Sequence, residues 1–365
     1  MCGAEARAKA GIGAAPFAGV NTAKILGATA LTLAAMKLGL AALRRGRSVR
    51  LRGATAVVCG ASRGLGRAVT LELARRGVKK IAICARTGSD LQELARELRG
   101  MGVTVVAEAR DLARTIEAEQ FLESAASQLG PIDVLVTNAA TILIAPVATL
   151  IADDFDEAHE TTFKTALNPI LAALPAFRAR GKGTMAVVTS IGGRVGVPHL
   201  APYSAAKFAT MGFAESLRAE VASDGVHVLT VVPGLMRTGS HVHAEVKGNH
   251  DLEYGWFGAS AMAPLLSIDA DRAARSIVRA IARGETEIAF TPEARVAPVL
   301  RAIAPALWAD LLGLTARLLL PRPPVASLAA SRRREGTVSE RTSQSPVVHA
   351  VREYGQSLKL RHAQV

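Results

Sequence analysis

The sequence predicts an α/β protein: a doubly wound, Rossmann-type, mostly parallel sheet of about seven strands with helices on both faces. Three observations predict it. From residue 54 onward, short runs rich in β-branched residues alternate with amphipathic stretches of about 15 residues. The runs lack the polar alternation of a half-exposed strand, so both of their faces are buried. Strands separated by helices join through right-handed crossovers, which makes the sheet parallel.

The elements follow in order. Strands are expected at 54–59 ("ATAVVC"), 80–85, 103–107, 132–137, 184–189, 226–232 and 286–290. Helices are expected near 64–77, 89–101, 114–129, 153–180, 203–223 and 269–284. Half of the residues are apolar but only 4% are aromatic, so Ala, Val, Leu and Ile fill the core. Ligands on such sheets bind at the carboxyl ends of the strands. The chain is expected to divide into a basic and apolar extension at 1–52, a Rossmann-type domain at 53–292, an apolar helical extension at 293–330 and a basic tail at 331–365. That tail is polar enough to predict disorder.

The formal net charge of +13 is unevenly spread: +8 in residues 1–52, +4 in 331–365 and +1 between them. A neutral middle and scarce aromatic residues exclude a nucleic-acid groove. Cys2, Cys59 and Cys84 have no disulfide pattern; Cys59 and Cys84 end apolar runs and read as buried free thiols in a reducing compartment.

The turn after the first strand, "CGASRGLGRA", spaces Gly60, Gly64 and Gly66 as G-x-x-x-G-x-G at the start of a helix. Glycines let a diphosphate approach the backbone, and the helix N-terminus points free N–H groups at it. Gly60, Ser62, Arg63, Gly64, Leu65 and Gly66 are therefore expected to bind a nucleotide. The second strand ends in "CAR", where an acidic residue would read the 2′-hydroxyl of an adenosine ribose. Arg86 stands there instead, with Arg63 in the glycine turn. Two guanidinium groups bond a phosphate well, so NADP(H) is expected over NAD(H).

With these pieces placed, residues 53–290 resemble the short-chain dehydrogenase/reductase family. Asp111-Leu112 resembles the pair that borders the adenine. Asn138-Ala139-Ala140 resembles the "NAG" segment beside the cofactor. Ser190 ends the fifth strand, Tyr203 follows thirteen residues later and Lys207 four after that, in "YSAAK". "VVPGLMRTG" resembles the segment after the sixth strand, with Pro233, Gly234 and Thr238 near the nicotinamide. Tyr203 and Lys207 share one face of a helix, and a nearby ammonium would lower the tyrosine pKa. The resemblance implies that Tyr203 exchanges a proton with a small carbonyl or alcohol substrate, Ser190 hydrogen-bonds its oxygen and Lys207 binds the nicotinamide ribose. Two departures stand out. Cys59 replaces the usual Thr. The Asn that kinks the helix after the fourth strand and holds a relay water falls on Thr162, with Thr165 at the following Gly position. Thr162 is thus the candidate relay residue, and Asn168 lies too far around the helix to substitute.

Segment 234–265 is expected to cover the substrate as a flexible lid. It holds His241, His243, His250, Glu245, Asp251 and Glu253, yet no helix is expected there to set a ligand spacing, so no metal site is assigned. Tyr254, Trp256 and Phe257 either line an apolar pocket for a lipophilic substrate or anchor the lid.

The run 23–43 is apolar except for Lys24 and Lys37 and is followed by five arginines. It spans a membrane, lies on its surface, or packs on the domain; in the first case the arginines keep the domain on the cytoplasmic side. The stretch 296–320, interrupted by Pro298, Pro305 and Pro321, forms the pocket's outer wall, a membrane contact or a homo-oligomer contact. The leading reading is an NADPH-dependent oxidoreductase. A cofactor-binding sensor with little turnover and a membrane-associated interaction protein are the alternatives.

Overall fold

The computed structural model describes residues 45–263, 267–321 and 333–362, and individual helical positions (31, 32, 35, 36, 39 and 42) before them. Met1–Gly46 and Arg47–Val365 form separate compact units. The 23–43 expectation therefore lies mainly outside the described residues. Among those described, no helix is long and apolar enough to cross a membrane.

All seven expected strands form: β1 (Thr55–Cys59), β2 (Lys80–Ala85), β3 (Thr104–Ala109), β4 (Val134–Thr137), β5 (Gly183–Val188), β6 (Val226–Val232) and β7 (Glu287–Ala289). They lie in the order β7-β6-β5-β4-β1-β2-β3, every pair parallel. The chain reverses its direction of winding between β1 and β4. A crevice opens there at the carboxyl ends, because the two following connections leave on opposite sides of the sheet.

The pleat explains the layers. Ala56 and Val58 of β1 face one core, and Val57 and Cys59 face the other. On the first face pack α1 (Gly64–Arg75), α2 (Gly88–Gly100) and α8 (Ala270–Arg283). Ala273, Ile277 and Ile281 recur along one side of α8, which is why that helix docks. On the second face lie α3 (Thr115–Leu129), α5 (Thr165–Arg180) and α6 (Ala201–Glu220), through residues such as Phe121, Ile170 and Leu217. Cys59 and Cys84 are registered partners on β1 and β2, both buried and free. Burial pushes the Cys84 thiol up to about 12 and raises Cys59 well above its ordinary value, so both are inert.

The helix expected at 153–180 is not uniform. α4 (Ala152–Ala158) passes into a π-helical segment, His159–Lys164, before α5. A π segment adds a residue to the turn and rotates the residues beyond it, and this one contains Thr162.

The lid and the tail differ from expectation. The lid contains a helix, α7 (His250–Met262), whose N-cap Asn249 accepts from the Leu252 N–H at 3.2 Å. The tail is folded: Arg334–Glu335 pairs antiparallel with Glu245–Val246, which pairs with Leu143–Ile144. Two helices follow, α11 (Gly336–Thr342) and α12 (Pro346–His362). Overall polarity concealed Val348 and Val351, which share one face of α12 and are buried with Ile144, Val246, Tyr254 and Phe257 in a third cluster. Gly258 of α7 lies directly against Val351, so α12 approaches closely.

Arg333 holds the start of this tail. It donates to Asp154 at 2.6 Å and to Glu245 at 3.0 Å, and it also pairs with Glu157. Lys247 reaches the same Asp154 carboxylate at 2.7 Å. Burial pushes the Asp154 carboxyl up, but bonds from Lys247, the Ile151 N–H and Arg333 outweigh it and hold the pKa low.

The stretch 296–320 is two helices. Pro298 sits inside α9 (Pro292–Ile303), where one missing N–H is tolerated, and Pro305 opens α10 (Pro305–Leu319). None of the residues of α10 is buried in this chain.

Candidate active site

A cavity of about 530 Å³ opens at the carboxyl ends of the strands. The glycine turn builds its floor. Gly60 has φ +75°, and a Cβ there would lie 2.6 Å from the Ala139 nitrogen. A Cβ on Gly66 would collide with the Gly60 carbonyl. Asn138 then donates to that carbonyl at 3.1 Å, joining the β1 turn to the segment after β4. The Arg63 N-cap uses no side chain to satisfy the first N–H groups of α1, so these remain for an anion.

The structure brings together, around this cavity, Gly60, Ser62, Arg63, Gly64, Leu65, Arg86, Asp111, Leu112, Asn138, Ala139, Ala140, Ser190, Tyr203, Lys207, Pro233, Gly234 and Thr238. Gly66 acts beneath it, through the close approach just described. The remaining candidate, Thr162, is fully buried in the π segment and donates to the Thr141 carbonyl at 3.4 Å. The wall here is made instead by Thr161 of the π segment and Thr165, the first residue of α5. Thr161 bonds the Thr141 hydroxyl, and Thr165 donates to the Ala139 carbonyl at 3.1 Å. The expectation that Thr162 faces the reaction is thus corrected: the π segment turns its neighbours toward the cavity and Thr162 into backbone packing.

At the reaction end, Ser190 follows β5 and its hydroxyl accepts from the Gly192 N–H at 3.0 Å. Tyr203 and Lys207 project from the first turns of α6. Lys207 donates to the Val188 carbonyl at 2.9 Å, and its ammonium nitrogen lies 5.8 Å from the Tyr203 ring centre. The electrostatics differ from expectation. Burial raises the Tyr203 pKa above its ordinary value, against a lowering hydrogen bond with Ser190. The same burial pushes Lys207 down to about 7. Near neutrality the lysine is therefore only partly charged, so desolvation outweighs the attraction that would have favoured the phenolate.

At the opposite end, Arg63, Arg86 and Arg110 line the wall. Burial lowers the Arg63 pKa; Asp90 raises it, and the charge of Arg86 lowers it again. Two like charges thus act on each other across a space that an anion would neutralise. An Arg63 amino group also contacts a His243 ring nitrogen at 2.9 Å, tying the lid loop to the glycine turn. Asn168, too far around the helix to serve a relay, instead donates to the Leu112 and Ala113 carbonyls at 3.0 and 2.9 Å and shapes the loop that carries Asp111.

The aromatic trio divides. Tyr254 is fully buried and anchors α7, while Trp256 and Phe257 line the cavity. Glu253, 1% exposed, accepts from the Trp256 indole N–H at 2.9 Å and pairs with His199 at 2.7 Å, which fixes the indole. His199 has φ +61°, a left-handed conformation uncommon outside glycine. Val197, Leu200, Ile142 and Met236 add apolar wall. Pocket lining was one of the two readings the sequence offered for Trp256 and Phe257; the His199–Glu253 pair that holds the indole carried no signal, because its members lie 54 positions apart and meet only in the folded chain.

Known proteins resemble this chain in sequence and in fold. A family model described as short chain dehydrogenase matches residues 54–247. The chain is 36% identical over 179 residues to glycine betaine reductase ATRR of Emericella nidulans, covering 49% of this chain and only 14% of that protein. It is 32% identical over 185 residues to a putative ketoacyl reductase of Streptomyces coelicolor, covering 50% of this chain and 70% of the other. A short chain dehydrogenase/reductase from Burkholderia phymatum, solved in complex with NAD, has a similar fold: TM-score 0.65 at 19% identity, over 71% of this chain and 96% of the other.

Proposed function

The chain belongs to the short-chain dehydrogenase family, and from that premise we propose that it is an NADPH-dependent oxidoreductase interconverting a carbonyl and a secondary alcohol, with Tyr203 as general acid and base. The observation that carries this is the meeting of Ser190, Tyr203 and Lys207 in one cavity with the glycine turn and two arginines. Bound nicotinamide supplies the hydride to the carbonyl carbon. Negative charge then grows on the carbonyl oxygen, which the Ser190 hydroxyl stabilises and the Tyr203 hydroxyl protonates. Lys207 borders the tyrosine and carries a pKa of about 7, suited to gaining and losing a proton near neutrality. The free N–H groups of α1 bind the diphosphate, and Arg63 with Arg86 bind the 2′-phosphate that distinguishes NADPH from NADH. Trp256, Phe257, Leu200, Val197 and Ile142 favour a lipophilic substrate. The names of the relatives support ketones, including ketoacyl groups, as the class to test first.

The experiment is NADPH oxidation against a panel of ketones, aldehydes and ketoacyl thioesters, using the intact protein and Tyr203→Phe. Removing one oxygen leaves the packing nearly unchanged. It should lower kcat by about 10²–10⁴-fold while NADPH still binds. A Tyr203→Phe protein that keeps most of its activity would refute the assigned mechanism.

A further inference from the structure

One wall of the cavity comes from outside the segments the family resemblance covers. Glu293, in the first turn of α9, reaches the cavity from beyond β7. Its Oε1 is buried and has no hydrogen-bond partner among the described residues. The adjacent Thr291 hydroxyl is in the same state: Thr291 is 3% exposed, is the N-cap of α9, and yet makes no side-chain cap. Both oxygens converge on Gly234, where a Cβ would collide with each of them. Only a glycine after Pro233 leaves room for the carboxylate. A buried polar atom without a partner is costly, and more so on a carboxylate; the Thr291 hydroxyl beside it makes no hydrogen bond to it, so a further donor is expected when the site is filled.

The position identifies the donor. The Pro233 carbonyl accepts from the Ile191 N–H at 2.8 Å, and Ile191 follows Ser190. Gly234 and Glu293 therefore border the end of the cavity where Ser190 and Tyr203 meet the substrate oxygen. A ketone brings no donor there, and the hydroxyl of an alcohol substrate is taken up by Ser190 and Tyr203. The nicotinamide ring must lie at this end for hydride transfer, and the donor on that ring is its carboxamide NH2, one carbon from the reacting position. A carboxylate is an acceptor only, which suits it to that group.

We propose that Glu293 is a cofactor-binding residue that accepts a hydrogen bond from the nicotinamide carboxamide and so sets the orientation of the ring. This rests on the nicotinamide reading above, and the test separates the two. Dissociation constants are measured by fluorescence titration for three ligands: NADP⁺, its 3-acetylpyridine analogue, which carries a methyl ketone in place of the carboxamide, and 2′-phospho-ADP-ribose, which lacks the ring. Both dinucleotides are cations at the ring, so general attraction to the carboxylate cancels between them. The intact protein should prefer NADP⁺ to the analogue by about tenfold or more, the scale of a hydrogen bond to a charged group. Glu293→Ala should bind the two equally, with its affinity for 2′-phospho-ADP-ribose unchanged. Glu293→Gln, which keeps an oxygen acceptor, should retain part of the preference. The inference is overturned if the intact protein shows no preference. It is overturned as well if Glu293→Ala keeps that preference, or if it weakens the ring-free ligand as much as NADP⁺. If the intact protein bound none of the three, the nicotinamide reading itself would fall and take this inference with it.

Discussion

Lys207 makes the stability of the cofactor-free protein depend on pH in a calculable way. An exposed lysine titrates near 10.5, and burial brings Lys207 to about 7. Between these values the unfolded chain holds a proton that the folded chain has released, so stability rises with pH across that window. Below about 7 both states are protonated and the folded state bears the full cost of a buried ammonium. From pH 6 to pH 9 this one group should add about 2–3 kcal/mol of stability. His227, lowered by burial to about 4, also favours folding as pH rises, and its contribution levels off about one pH unit above the 6.5 at which the unfolded histidine is half-protonated. The perturbation that isolates the lysine is Lys207→Met, which keeps the aliphatic stem and removes the charge. The assay is urea unfolding of both proteins without cofactor at pH 6, 7, 8 and 9. Loss of the bond to the Val188 carbonyl shifts the variant by a constant amount, so the informative quantity is the slope with pH. The intact protein should gain the stated stability relative to Lys207→Met between pH 6 and 9. Parallel curves would refute the reasoning and mean that the lysine stays charged in the folded state.

Arg86→Ala should weaken NADPH by about tenfold or more, the worth of one charge-assisted bond of about 1.5–3 kcal/mol, and leave NADH almost unaffected; equal affinities for the two in the intact protein would remove the basis for the assigned cofactor. Arg333→Ala should cost about 1–3 kcal/mol, because Asp154 keeps Lys247 but Glu157 and Glu245 lose their shared partner. A chain of this size should then melt about 2–4 °C lower per kcal/mol, with faster proteolysis ahead of residue 333. An unchanged melting temperature would show that the tail is held by Val348 and Val351 alone.

The central sheet was legible because its signal is local. Each strand is a short run of β-branched residues, each helix a periodic stripe, and one crossover rule orders them. The same holds for the residues at the strand ends, since Gly60, Asn138, Ser190 and Pro233 are placed by the strands they follow. Thr162 was less legible for a reason of phase. Its position was counted along a regular helix, and the π segment over His159–Lys164 shifts that count, exchanging inward and outward positions within a single turn.

Charge balance misled in the tail for a different reason. Polarity averaged over 331–365 describes a segment with little to bury, yet two valines suffice when a groove already exists to receive them, and Arg333 is not a solvated charge when three carboxylates face it. The groove is lined by α7 and by Glu245–Val246, which are themselves remote in sequence from the tail. No window of the tail contains that information. The same applies to Glu293 and His243. Their chemistry is set by Gly234 and Arg63, which lie 59 and 180 positions away in sequence, so only the folded chain identifies them. Such residues share one property: they reach the cavity from the lid or from beyond β7. Trp256, Phe257 and Glu293 all lie beyond residue 247, where the family match ends, whereas Ser190, Tyr203 and Lys207 lie within it.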